Sequence, residues 1–140
     1  MRALILYSED GKLLNLVKGL ERGLQAVGYE VQLLGASTAI RNINIPLVSY
    51  DLVCVGSPVV GFFGGEIAAD IDAALKKTTR MQGKPTAAFV RPRIFGSTRS
   101  LHTLMKAMEA QGAWVQDFAS VSTAREAEAL GRRLETMQKL

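Results

Sequence analysis

YSEDGKLL, from Tyr7 to Leu14, sets a hydroxyl (Ser8), two carboxylates (Glu9 and Asp10), a glycine (Gly11) and an ammonium (Lys12) side by side. An apolar run precedes them and a helical pattern follows. A strand-to-helix junction of this kind is suited to a phosphate, because the first N–H groups of a helix lack partners and its dipole favours an anion. Two other stretches carry residue types of a ligand site. SPVVGFFGG, from Ser57, has Gly61, Gly64 and Gly65, which let a backbone approach a flat ligand closely, beside Phe62 and Phe63. RPRIFGSTR, from Arg91, gathers Arg91, Arg93 and Arg99 around Phe95.

The residue pattern argues against several other chemistries. His102 has no second His or Cys at ligand spacing, which argues against a structural zinc site and for an exposed helical imidazole. Cys54 lies inside an apolar run, DLVCVG, without the C-x5-R arrangement of a small phosphatase. Glu9 and Asp10 are placed like the acidic pair of a response-regulator receiver, but Val55, Gly56 and Ser57 stand where a phosphoacceptor Asp is required. The basic residues do not alternate with aromatics as a nucleic-acid surface would demand.

Hydrophobic spacing supplies the elements that must bring the three stretches together. RALIL, residues 2–6, predicts a strand, and Leu13, Leu16, Val17, Leu20, Leu24 and Val27 a helix beginning near Lys12 and ended by Gly28. Gly19 and Gly23 inside that helix each cost about 1 kcal/mol relative to Ala, which points to close packing against the sheet. YEVQLL from Tyr29 predicts a second strand. Gly35 to Tyr50 is polar and broken by Pro46, so it predicts a loop with at most a short helical turn.

DLVCVG, from Asp51, predicts a strand buried on both faces, and Ile67, Ile71, Ala74 and Leu75 a helix with Asp70, Lys76 and Lys77 toward water. KPTAAFV from Lys84 and AWVQDFASV from Ala113 complete five strands, the last of mixed polarity as an edge tolerates. Between them Leu101, Leu104, Met105 and Met108 mark a helix closed by Gly112. Thr123 with Glu126 forms a capping box for a last helix bearing Ala127, Leu130, Leu134 and Met137. Strands alternating with helices predict an α/β fold with a parallel sheet covered on both faces, and a ligand site at the carboxyl ends of its strands.

The chain has 140 residues, 48% of them hydrophobic, enough for one core burying roughly two-thirds of the unfolded surface and too few for two ordinary domains. A single domain over 1–140 is expected. Lys and Arg exceed Asp and Glu by 17 to 13, a net charge of +4 that suits acidic ligands or partners. Cys54 as the single cysteine excludes an intrachain disulfide and fits a reduced, cytoplasmic setting. No stretch has the length of a membrane span or the pattern of a secretory signal, so neither membrane nor nucleic acid is an expected partner.

Over nearly its whole length the chain resembles the flavodoxin family. ILYSEDGKL is similar to the first strand with its T/S-x-T-G-x-T phosphate loop. DLVCVGSPVVGFFGG looks like the strand and loop D-x-(apolar)-x-x-G-S/T-P beside the flavin ring, and GKPTAAFVRPRIFGS like G-K-x-x-(apolar)-F with the second ring-binding loop. The resemblance implies a flavodoxin-like three-layer sandwich with a sheet of order 2-1-3-4-5, the helix between strands 2 and 3 being reduced or absent here. It also implies FMN held without a covalent link, and electron transfer by a carrier or oxidoreductase. Ser8, Glu9, Asp10, Gly11 and Lys12 would then lie near the phosphate. Ser57, Pro58, Val59, Gly61, Phe62 and Phe63 would lie against the ring, and Arg93, Ile94, Phe95 and Gly96 would close its edge. The flavin supplies the redox chemistry, so no side chain need act as acid or base and no metal is called for.

The match is incomplete at the phosphate end. Asp10 stands where a hydroxyl is usual and Leu13 replaces the final Thr. A carboxylate at about 4 Å from a phosphate is repelled by about 4 kcal/mol at an effective dielectric of about 20. The alternative is structural: Ser8 or Asp10 caps the helix, Gly11 permits the turn, and the two acids complement the dipole. Likewise Phe62, Phe63 and Phe95 either cover a ring, fold back over the sheet end or form a partner patch. The arginines favour an anionic reduced flavin or an acidic electron-transfer partner, or are solvated surface charge. A rival to the flavin carrier is therefore a module that kept the fold, lost FMN, and binds another anion or a protein.

Overall fold

A computed structural model gives the fold, described for residues 1–134. In chain order the elements are β1 (Arg2–Tyr7), α1 (Leu14–Ala26), β2 (Glu30–Gly35), α2 (Ala36–Ala39), β3 (Ile45–Pro46) and β4 (Leu52–Pro58), followed by α3 (Ala69–Lys76), β5 (Thr78–Thr79), β6 (Pro85–Arg91), α4 (Ser97–Glu109), β7 (Trp114–Ser120) and α5 (Ala124–Arg133). The main sheet runs β2-β1-β4-β6-β7, every pairing parallel. Its five strands taken alone follow the expected order 2-1-3-4-5. The difference in detail is the pair of two-residue strands β3 and β5, which form a separate parallel ladder that the sequence did not announce.

Period-two alternation within the buried strands divides the core into two layers. Ala3, Ile5, Leu52, Cys54, Ala87 and Phe89 face α1 and α5. Leu4, Leu6, Val53, Val55, Ala88 and Val90 face α2, α3 and α4. The crossover between β2 and β4 has only the four-residue α2 as helix, and Ile45 and Leu47 fill the space that a longer helix would cover. β7 is the edge strand. There Gln116 is an extra residue between the pairs Thr86–Val115 and Ala87–Asp117, a bulge that twists an edge away from further pairing.

Three local expectations change. α1 starts at Leu14, with Leu13 as N-cap and no side-chain cap bond, so neither Ser8 nor Asp10 caps it and no acid stands in its first turn. Lys12 has φ +57, a left-handed conformation that delays the helix by two residues. Gly19 and Gly23 pack against α5, not the sheet: a Cβ at Gly19 would lie 2.3 Å from the Ala124 carbonyl oxygen, and one at Gly23 2.2 Å from that of Glu128. The capping box of α5 is present, Thr123 Oγ1 accepting from Glu126 N and Glu126 Oε1 accepting from Thr123 N, both at 3.1 Å. Met137 lies outside the described residues.

Candidate functional site

Because the strands are parallel, the chain leaves β1, β2, β4 and β6 at one rim, and between β1 and β4 the direction of winding reverses. Tyr7 pairs with both Gly35 and Gly56, so β1 and β2 end level, while β4 and β6, paired at Pro58 and Arg91, run two residues further at the same rim. The loops that follow touch one another. A Cβ at Gly11 would stand 2.6 Å from Pro58, joining the first loop to the second. A Cβ at Gly64 would fall 2.0 Å from the Phe95 carbonyl oxygen, and one at Gly96 2.6 Å from Gly64 Cα. Both glycines have positive φ, so no other residue would permit this backbone-to-backbone approach without strain.

In the first loop Ser8 is fully buried and its hydroxyl donates to Asp70 Oδ1 at 2.6 Å. Asp70 Oδ2 accepts from the Glu9 amide at 2.8 Å and from Ser37 Oγ at 3.0 Å. Asp70 was expected to face water; it is buried and ties the first loop to α2 and α3. Lys77, also expected to face water, donates from Nζ to the carbonyls of Ile40 and Asn42. The Asp10 amide donates to Ser8 Oγ at 3.1 Å, while the Asp10 side chain is exposed. Glu9 turns away from the loop, its Oε1 accepting from Thr38 N at 2.8 Å near the start of α2. Among the described residues the amides of Gly11, Lys12 and Leu13 have no acceptor. A cavity of about 190 Å³ lies here, lined by Tyr7, Ser8, Glu9, Lys12, Leu13 and Leu14. Burial first, and the Glu9 charge second, push the Tyr7 hydroxyl above its ordinary pKa.

The second and third loops expose apolar surface. Phe62 is 88% exposed, Phe63 66%, Ile94 91% and Phe95 62%, which excludes folding back over the sheet end. Phe62 and Phe63 meet edge to face, with centroids 4.8 Å apart. Not every expected site residue reaches the rim surface. Val59 is buried in the core, and the Ser57 hydroxyl, fully buried, accepts from Ala68 N at 2.9 Å and so fixes the entry to α3. Gly61 accepts from Gly64 N, and Val60 and Glu66 exchange two backbone bonds that close the loop.

The arginines act as staples between these loops. Arg91 Nη1 donates to the carbonyls of Gly11 at 3.0 Å and Lys12 at 3.3 Å, Arg93 Nη1 to that of Val59 at 3.3 Å, and Arg99 Nη2 to that of Phe63 at 2.9 Å. None of them enters an ion pair among the described residues, so the rim keeps their positive charge. Ser100, unremarked in the sequence, is fully buried and bridges the loop, accepting from Gly65 N and donating to Glu66 O.

The overall fold recurs in solved proteins. Over 100% of both chains the structure is similar to a flavodoxin from the domain Archaea, with a TM-score of 0.74 at 16% identity. The fold is that of the flavodoxins. Two-electron reduced Megasphaera elsdenii flavodoxin is similar over 97% of this chain and 99% of its own, with a TM-score of 0.72 at 20% identity. Oxidised flavodoxin 2 from Bacillus cereus is similar over 100% of both chains, at 0.70 and 21%. No protein-family model matches the sequence, and no curated protein matches it.

Tested against FMN, the two ends of this flavodoxin-fold site differ. At the ring end, glycine backbones and exposed aromatic side chains are suited to a flat apolar ligand. At the phosphate end the Ser8 hydroxyl and the Glu9 amide already serve Asp70, and that carboxylate repels a second anion. A phosphate would therefore find two of the loop's donors taken and a buried carboxylate behind them, with the amides of Gly11, Lys12 and Leu13 still open. The buried place of Asp70 has a signal in the sequence: Ile67, Asp70, Ile71 and Ala74 follow the i, i+3, i+4, i+7 spacing of one helix face, and an acid on a core stripe needs a buried partner.

Cys54 takes no part in the rim. Burial first, then the Asp117 charge, push its thiol from an ordinary 9.0 up to about 12. The native protein is therefore expected to resist alkylation by iodoacetamide at pH 8 and to be labelled promptly in denaturant. Rapid labelling without denaturant would contradict the packing. The raised pKa contributes stability that is full below about 9 and lost as pH rises through about 12. His102 is exposed on α4, and among the described residues no cluster has the composition of a metal site. No described helix is long and apolar enough to cross a membrane.

Proposed function

We propose that this protein binds a flavin without a covalent link at the strand-end rim and carries electrons through it. FMN is the cofactor that the flavodoxin resemblance implies. The observation that carries the reading is the close approach of Gly64 to Gly96, which brings Phe62, Phe63 and Phe95 to one rim. The second and third loops would hold the ring by stacking and backbone contacts, and the charge of Arg91, Arg93 and Arg99 would favour a reduced, anionic form and an acidic partner protein. When bound, the flavin supplies the redox chemistry; the chain sets its affinity and potential through packing and local charge.

A second reading is favoured by Asp70. A loop whose donors serve an internal carboxylate suits a flavodoxin-fold module that has lost the flavin and offers its exposed Phe62, Phe63, Ile94 and Phe95 to a protein. Titration with FMN and with riboflavin, followed by flavin fluorescence and visible absorption, separates the two. Saturable binding of either flavin, with reversible reduction by dithionite, is the expected result. No saturable change with both rejects the flavin reading and leaves the module.

A further inference from the structure

Asp70 stands at the junction of three elements. Its carboxylate accepts from the buried Ser8 hydroxyl, from the Glu9 amide and from Ser37 Oγ, at 2.6, 2.8 and 3.0 Å. It is buried on the core-facing stripe of α3, so its position is set by packing. Glu9 reinforces the arrangement from the other side. Its Oε1 takes the Thr38 amide, and its side chain lies so close to Gly35 that a Cβ there would come within 2.2 Å. The loop backbone is thus held between α2 and α3 by two carboxylates.

The donors Asp70 takes lie in the stretch that matches a phosphate loop, and an acid that accepts from a hydroxyl and a main-chain amide satisfies them as an anionic ligand would. The fixed negative charge also disfavours a second anion there, and the low dielectric around a buried group strengthens that effect. We infer that Asp70 is a built-in substitute for a ligand phosphate, so that this rim takes a flavin lacking a phosphate, of the riboflavin class, in preference to FMN. The ligand named here rests on the flavin reading above; the role of Asp70 toward the loop does not. The uncharged side chain of such a flavin needs none of the donors that Asp70 occupies, and the ring end of the rim is unaffected.

Two measurements test this on the full chain. In flavin titrations the wild-type protein is expected to bind riboflavin at least as tightly as FMN, and Asp70→Asn to gain about tenfold or more in FMN affinity, with riboflavin little changed. Wild-type protein that prefers FMN by about tenfold or more overturns the inference. Inorganic phosphate titrated into 15N-labelled protein gives a readout independent of any flavin. The amides of residues 8–13 are expected to shift saturably in Asp70→Asn and not in wild type. Saturable shifts in wild type, or none in a folded Asp70→Asn protein, overturn it. Asp70→Ser serves if the asparagine variant does not fold, and the wild-type arm stands without either. If neither flavin binds, the flavin reading fails while the phosphate titration still decides the role of Asp70.

Discussion

Phe89→Ala is expected to lower the unfolding free energy by about 3–5 kcal/mol, read as a shift of the urea midpoint at unchanged slope. Phe89 is 1% exposed at the middle of β6, itself flanked by β4 and β7. Its ring stands directly over Gly56: a Cβ there would lie 2.1 Å from Phe89 Cζ. Truncating the ring opens a cavity between the sheet and the layer of α1 and α5, whose neighbours Ile5, Cys54 and Ala87 sit on strands held by ladders on both sides. Such strands cannot move in to fill it, so the cavity term adds to the lost transfer energy. Gly56 also leads straight into Ser57, and the strand end that carries the second rim loop should loosen with it. A loss below about 1 kcal/mol would mean that the ring is not sealed in the core.

Gly23→Val should cost about 3 kcal/mol, although any side chain improves on glycine in helix propensity by several tenths of a kcal/mol. The steric term wins because the obstruction is main chain. A Cβ at Gly23 would meet the Glu128 carbonyl oxygen at 2.2 Å and the Arg132 amide nitrogen at 3.0 Å, and neither can rotate aside. From the facing helix, Gly131 makes the reciprocal approach to Leu20 and Leu24. Pushing α1 and α5 apart exposes Leu20, Leu24, Ala127 and Leu130, all now buried. Thermal unfolding followed by circular dichroism provides the measurement, with exposed Lys18→Ala as a control expected within about 0.5 kcal/mol of wild type. A melting temperature equal to that of the control would show that the helices do not meet at these glycines.

Much of the architecture was written locally. The strands and most helix faces are runs and periodicities, and the Thr123–Glu126 box needs no partner outside its own turn, so these were legible from spacing alone. β3 and β5 were not, because a two-residue ladder has no periodicity to read; its pairing comes from distant chain brought alongside. Gly19 and Gly23 mark close packing, but the facing surface is not the sheet: it is a helix more than a hundred residues later in the chain. A glycine signals proximity but not to what.

The candidate site divides in the same way. Composition and order along the chain determined that three loops of suitable residue types follow three parallel strands, since parallel neighbours need crossovers that return each strand to the same end. Tertiary structure decided what those loops offer. It committed Ser8 and the Glu9 amide to Asp70, turned Glu9 onto α2, spent three guanidinium groups on neighbouring carbonyls, and left four large apolar side chains in water. The reason is physical: whether a donor is free depends on which acceptor lies within about 3 Å of it, and for residues some sixty positions apart that distance exists only once the sheet has formed.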